Sequence, residues 1–163
     1  MTQLSSFLTF TPAGFYCEQG DFYIDPTRSV NKAVITHGHA DHARRGVRHY
    51  LANTSCEYIL RERLGHRISL ETLAYGETIS LNGVRVSLHP AGHILGSAQV
   101  LVEKDGCRLL YSGDFNSVPS ATAESIEIPQ ADILIMESTF GRPNYRFPPR
   151  RLVEQNLLDF VRH

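Results

Sequence analysis

Four metal-ligating side chains stand within six positions of this chain: His37, His39, Asp41 and His42, in the run VITHGHADHARRG. Neutral imidazole and carboxylate are ligands for zinc, and also for manganese or iron. In extended backbone alternate residues share a face, so His37 and His39 can aim at one centre. Asp41 and His42 are adjacent and would turn to opposite faces in that register. A bend after Ala40 lets both serve a neighbouring centre. Gly38 and Ala40 leave the loop slim enough to close around an ion. A lone His-x-His is usually a polar turn, whereas HxHxDH behind a buried apolar run is a far more specific signal for a metal site.

One loop cannot complete two coordination shells, and two later stretches offer partners. HPAGHILGSAQV sets His93 between Gly92 and Ile94, on a glycine-bearing loop before an apolar run. LLYSGDF sets Asp114 beside Gly113, just past another. Either alone reads as ordinary turn chemistry. Following HxHxDH in this order, both read as ligands.

Positioning these residues requires strands that end at loops. FLTFT, GDFYIDP and KAVITH read as strands, the last a short buried one running into the histidines. TSCEYILRERLG reads as a helix capped by Thr54 or Ser55, apolar on Ile59, Leu60 and Leu64 and ended by Gly65. VRVSLHP, AQVLVEKDGCRLLYSGD and ADILIMES supply more strands, with Asp105-Gly106 as a hairpin turn. RRLVEQNLLDFVRH carries Leu152, Leu157, Leu158 and Val161 at helical spacing. The order predicts an α/β layered fold whose histidine loops gather at strand ends. The last helix runs into the chain end without a Gly or Pro stop, which suggests a piece of something longer.

The 163 residues suffice for one domain with a real hydrophobic core. A formal charge of −1 gives no overall basic field, so any nucleic-acid contact must come from a local patch. Fourteen arginines against two lysines favour guanidinium, which suits bidentate phosphate contacts. Arg44, Arg45 and Arg48 follow the first histidine loop, and Arg142, Arg146, Arg150 and Arg151 follow the ESTFG segment. Cys17, Cys56 and Cys107 are an odd, widely spaced set without CxxC, which fits reduced thiols better than a disulfide framework; Cys107 is expected in the core. Neither a signal peptide nor a membrane span is legible, so a soluble cytoplasmic protein is expected. Tyr50, Tyr58 and Phe15 read as core, and His49, His66 and His89 as structural or surface residues.

The motifs together resemble those of the metallo-β-lactamase superfamily. His37, His39, Asp41 and His42 look like its HxHxDH motif, His93 like its third-motif histidine and Asp114 like its metal-bridging aspartate. Asp25 in FYIDP resembles the aspartate that ends an early strand and braces the histidine loop. MESTFG, with Glu137, resembles the entry into the β-CASP nucleases, which process RNA or DNA ends. Within that branch, GFYCEQGDFYIDPTRSVNKAVITHGHADHARRG and AYGETISLNGVRVSLHPAGHILGSAQV are similar to bacterial DNA ligase-associated exonucleases. The likeness runs from about Phe10 to Tyr145.

The resemblance implies an αββα sandwich, with residues 1–163 as its N-terminal part and the β-CASP and C-terminal segments absent. It implies two divalent ions, zinc or else manganese: His37, His39 and His93 on one, Asp41 and His42 on the other, and Asp114 bridging. Asp41, Glu137 and Asp25 complete the implied catalytic set. Asp41 would orient a hydroxide for attack on phosphorus, and Glu137 would orient a histidine that protonates the leaving oxygen. Family members carry that histidine, and a last ligand for the second metal, in later sequence; His163 is not cast in either role. The implied function is a metal-dependent DNA exonuclease in ligase-associated repair, with DNA and a DNA ligase as partners and no membrane. The alternatives are an RNA-processing β-CASP nuclease, a small-ester or thioester hydrolase of the same fold, or an inactive truncated fragment with reduced occupancy of the second metal. A truncated sandwich would also expose an apolar face or strand edge and self-associate.

Overall fold

The computed structural model describes residues 7–162, so His163 lies outside the described residues. Two sheets form the framework. The first contains β1 (Thr9–Thr11), β2 (Gly14–Cys17), β3 (Phe22–Ile24), β4 (Val30–Ile35), β5 (Val47–Asn53) and β6 (Leu70–Leu73), side by side in chain order. β1 to β3 pair antiparallel, and β3 to β6 pair parallel. The second sheet runs β11-β10-β9-β8-β7, from β7 (Thr78–Leu81), β8 (Val84–Pro90), β9 (Ala98–Lys104), β10 (Cys107–Tyr111) and β11 (Ile133–Ile135). Only its β10–β11 pair is parallel.

The two hairpins of the second sheet follow from their turn residues. Asp105-Gly106 has φ of 50° and 76°, and Asn82-Gly83 has 48° and 82°. Two successive positive φ values match the right-handed twist of the flanking strands, and Asn, Asp and Gly tolerate them best.

Alternation along the strands then builds the core. Val84, Val86 and Leu88 of β8 and Val100 and Val102 of β9 point between the sheets, against Phe22, Ile24, Val34 and Leu51 of the first sheet. Cys107 and Phe15 pack at the margin of this core, each half-buried. β4 is buried on both faces, as parallel central strands are: Ala33 and Ile35 turn the other way, into a second cluster with Tyr50, Ala52, Cys56, Leu60 and Leu64. The last two belong to helix α1 (Glu57–Leu64), which covers that face.

A 3-10 turn, Thr54–Cys56, leads into α1, and its cap is Asn53, whose side chain accepts from the Ser55 N–H at 2.9 Å. The expected caps Thr54 and Ser55 are exposed, because the buried Asn53 already sits at the strand end with its amide donating to Leu73 O. Gly65 ends the helix, its N–H donating to Arg61 O at 2.8 Å. Tyr58 falls on the outward side of α1 and is exposed, contrary to its reading as core. FLTFT forms a strand only from Thr9.

α1, the first sheet and the second sheet give three layers of an αββα sandwich. Over the outer face of the second sheet, where a second helical layer would lie, the described residues place the irregular stretch 115–131, leaving an apolar hollow of about 260 Å³ beside Leu110 and Leu134. Helix α2 (Arg150–Arg162) forms where the spacing predicts it, but every one of its residues is exposed.

Candidate metal centre

The centre grows out of the end of β4. There Thr36 O accepts from the Ala98 N–H at the start of β9, so the two sheets are joined directly behind the site. Thr36 donates both its N–H and its hydroxyl to Asp25, at 2.8 and 2.6 Å. Asp25 follows β3 in a left-handed conformation (φ 43°), a position few residues occupy without some compensating bond. Beyond Thr36 the chain passes so close to α1 that a Cβ on Gly38 would lie 2.4 Å from Ile59 Cγ2. Arg63 of α1 donates to the Gly38 carbonyl. His39 O then accepts from the N–H groups of His42 and Ala43, at 3.3 and 2.8 Å, and this turn swings His42 back beneath the loop.

Three other loops meet it. Ser97 Oγ accepts from the His93 and Ile94 amides, and Glu124 accepts from the Gly96 amide at 3.0 Å, which fixes the loop bearing His93. Gly113 (φ 55°) lets the chain pass over Thr36, since a Cβ there would meet Thr36 Cβ at 2.9 Å, and Asp114 follows. After β11, Glu137 donates its amide to Ser112 Oγ and accepts from the Phe115 and Thr139 N–H groups.

The result is a convergence of donor atoms. His37 Nε2 lies 3.0 Å from His39 Nδ1, which lies 3.2 Å from His93 Nε2. Asp114 Oδ2 lies 3.9 Å from His37 Nε2 and 3.7 Å from His93 Nε2. One ligand atom from each of the four falls within 4.8 Å of the others. Nitrogens bound tetrahedrally to zinc at about 2.0–2.1 Å sit roughly 3.3 Å apart, so this spacing fits an ion. Protonation fits as well. Thr36 gives its hydroxyl proton to Asp25 and so can accept from His37 Nδ1 at 3.0 Å, leaving the Nε2 lone pair for the centre. Burial, with neighbouring His42, His93 and His39, pushes the His37 pKa down to about 2, and burial also lowers that of His93.

Asp41 and His42 stand outside this tight group. His42 Nδ1 meets Asp25 Oδ2 at 2.8 Å, and its Nε2 faces Asp114 Oδ1 at 3.4 Å and Asp41 Oδ2 at 3.7 Å. Burial opposes charge on this ring, but the hydrogen bond to Asp25 and the charges of Asp25, Asp114 and Asp41 outweigh it and raise its pKa. Asp114 thus turns one oxygen to each group. Glu137 is less buried, and the Thr139 and Phe115 hydrogen bonds overcome desolvation to hold its carboxyl below the ordinary value. Asp25, part of the implied catalytic set, is buried and commits its oxygens to Thr36 and His42, which is the bracing position that the resemblance implies for it.

The site opens into a cleft of about 840 Å³ that reaches from His39, His93, Asp114 and Glu137 to Phe140, Phe147 and Arg150. Of the two arginine groups, Arg44 and Arg45 fold back onto the carbonyls of Asp41 and Arg63, and Arg150 lines the cleft. Thr36, Arg63 and Glu124 support the centre without having been legible. Thr36 had a usable signal, a hydroxyl at the end of a buried strand; Glu124 acts across 28 residues and had none.

A family profile described as a β-lactamase superfamily domain matches residues 17–155. A protein named probable DNA ligase from Opitutus terrae is 36% identical over 149 residues, 90% of this chain and 15% of that protein. Endoribonuclease YSH1 of Eremothecium gossypii is 39% identical over 94 residues, 56% of this chain and 12% of its own length. An RNase J-like protein of Methanocaldococcus jannaschii is 28% identical over 157 residues, covering 82% of this chain and 37% of itself. The chain therefore spans well under half the length of each.

Proposed function

The chain belongs to the metallo-β-lactamase superfamily, and on that premise we propose that it is the metal-holding part of a DNA-directed phosphodiesterase, an exonuclease that works with a DNA ligase in the cytoplasm. Residues 1–163 would form the N-terminal part of its catalytic domain. The observation that carries this reading is the three-histidine and aspartate cluster at the end of an open cleft.

His37, His39, His93 and Asp114 would hold one divalent ion, zinc or manganese, and Asp41, His42 and the other Asp114 oxygen a second. Bound there, such ions supply a nucleophilic water at neutral pH and polarise a phosphoryl oxygen. The chain's own residues do the rest. Asp41, whose side chain is 72% exposed beside His42, is free to accept a hydrogen bond from the attacking water and aim it at phosphorus. Glu137, anchored by two backbone amides, holds a negative charge at the cleft wall, where it would orient the group that protonates the leaving oxygen. Asp25 and Thr36 keep His37 and His42 in the tautomers that the site needs.

Two features favour DNA over a small ester. The cleft continues beyond the ligands to a guanidinium, which suits a polyanionic chain. A stretch similar to nearly this whole chain lies within a protein named for DNA ligation. The names of the other relatives favour RNA as the second reading. Incubation of the chain with labelled DNA, labelled RNA and a thioester panel, with zinc or manganese, tests the proposal. DNA cleavage that a chelator stops is the expected result. Turnover of thioesters alone would overturn it, and turnover of RNA alone would select the second reading. Among the described residues no helix is long and apolar enough to cross a membrane.

A further inference from the structure

The cleft has a second end, and its chemistry differs from the first. Phe140 and Phe147 line it together with His93 and Asp114, and both rings are mostly exposed, at 61% and 68%. They meet edge to face, with centroids 5.1 Å apart and planes at 85°. Tyr145 packs against Phe140 in the same manner at 5.3 Å. Two local turns, Gly141 N–H to Ser138 O and Tyr145 N–H to Arg142 O, fold the segment so that the three rings form one group. Beside them Arg150 is held by Pro119 O, Ser120 Oγ and Glu154 Oε1, at 3.2, 3.1 and 2.9 Å, which fixes its guanidinium at the rim.

Large rings left in water at the mouth of a working cleft lack a partner face. A ligand that offers flat apolar faces at regular intervals, together with phosphates for a guanidinium and for a metal centre, is a nucleic-acid strand with unpaired bases. A duplex hides those faces in its own stack. Stacking on aromatic side chains is how proteins take such strands without reading sequence.

We propose that Phe140 and Phe147, flanked by Tyr145 and Arg150, form a base-stacking subsite that seats single-stranded nucleic acid beside the metal centre. The proposal rests on the nuclease reading above and names the form of substrate it takes.

The test compares two labelled single strands of about ten nucleotides, one oligothymidylate and one of equal length and charge in which every base is replaced by a stable abasic unit, binding to the metal-free chain. The base-bearing strand is expected to bind at least roughly tenfold more tightly, and F140A/F147A is expected to erase most of that preference while leaving abasic binding unchanged. Equal affinity of the native chain for both strands overturns the proposal, and this arm decides even if the variant fails to fold. A variant with unchanged strand preference and a smaller solution mass also overturns it, making the rings a contact between copies. Metal-dependent cleavage of the abasic strand reports on the nuclease reading separately. Cleavage without base preference removes only the subsite, whereas base preference without cleavage of any strand removes only the nuclease reading.

Discussion

β4 with its loop and β11 with the segment after it both deliver candidate site residues, yet they are built in opposite ways. The first is buried on both faces, and two of the three histidines on its loop have a bracing partner: Thr36 for His37 and Asp25 for His42, with Arg63 and Ile59 against the backbone between. The second is an edge strand of three residues, followed by exposed rings and a helix with no buried side chain. Glu137 is pinned there to Ser112 and Phe115, and Arg150 to Pro119 and Ser120. The contrast teaches a division of labour. Coordination needs ligands held to a few tenths of an ångström, so it sits where the core is densest; a surface that receives a long flexible ligand can be left open.

The largest effect that could break this comparison is on stability. Leu88→Ala empties a site that is fully buried between the sheets and should cost about 2–5 kcal/mol. Leu157→Ala, on the exposed face of α2, should stay within about 0.5 kcal/mol. Urea midpoints of both variants check this, and a comparable loss at Leu157 would mean that α2 is packed in solution.

Next comes the brace. Asp25→Ala should weaken zinc binding about 10–100-fold, read by competition with a chelator, since outer partners orient the ligating imidazoles. Asp25→Asn should fall between, because its amide oxygen still accepts from Thr36. Unchanged affinity in both would show that His37 and His42 are held without it.

A smaller effect belongs to the start of α1. Asn53→Ala should cost about 1 kcal/mol and Thr54→Ala almost nothing, which thermal melts of the two variants would distinguish.

The shallowest effect is on pH. The metal-free chain should lose stability as pH falls below about 6.5. His37, His93 and His89 all have folded pKa values lowered by burial, so the unfolded chain takes up protons before the folded one does. His42 works in the other direction: its contribution is full at low pH and fades as pH rises through its elevated value, which flattens the net slope. Denaturant midpoints from pH 7 downward that stay level or climb would contradict this sign.

The same contrast explains what could be read from the sequence. The convergence of His37, His39, His93 and Asp114 was legible because few residue types can hold an ion, and Asp105-Gly106 because only a few residues tolerate its backbone. VRVSLHP was legible because its alternation matches a one-sided core. VRHYLAN, which forms β5, was not: Arg48 and His49 break its apolar run before Tyr50 to Asn53 go inside. Asn82-Gly83 carried a hairpin signal as strong as Asp105-Gly106, yet the short TISL strand before it has too few apolar positions to draw notice. The observed cap Asn53 was not legible beside Thr54 and Ser55, neighbours of similar propensity, because only the strand end decides among them. Helical spacing in α2 was plain, but periodicity names a face without naming what covers it.

Asp25 reaches both groups of candidate ligands, touching His42 directly and His37 through one hydroxyl. On the two-ion proposal, a displacement of that single carboxylate would disturb both groups together. Asp114 ties the same two groups together from the other side, so a change that altered one proposed ion's affinity would be felt at its neighbour through either carboxylate.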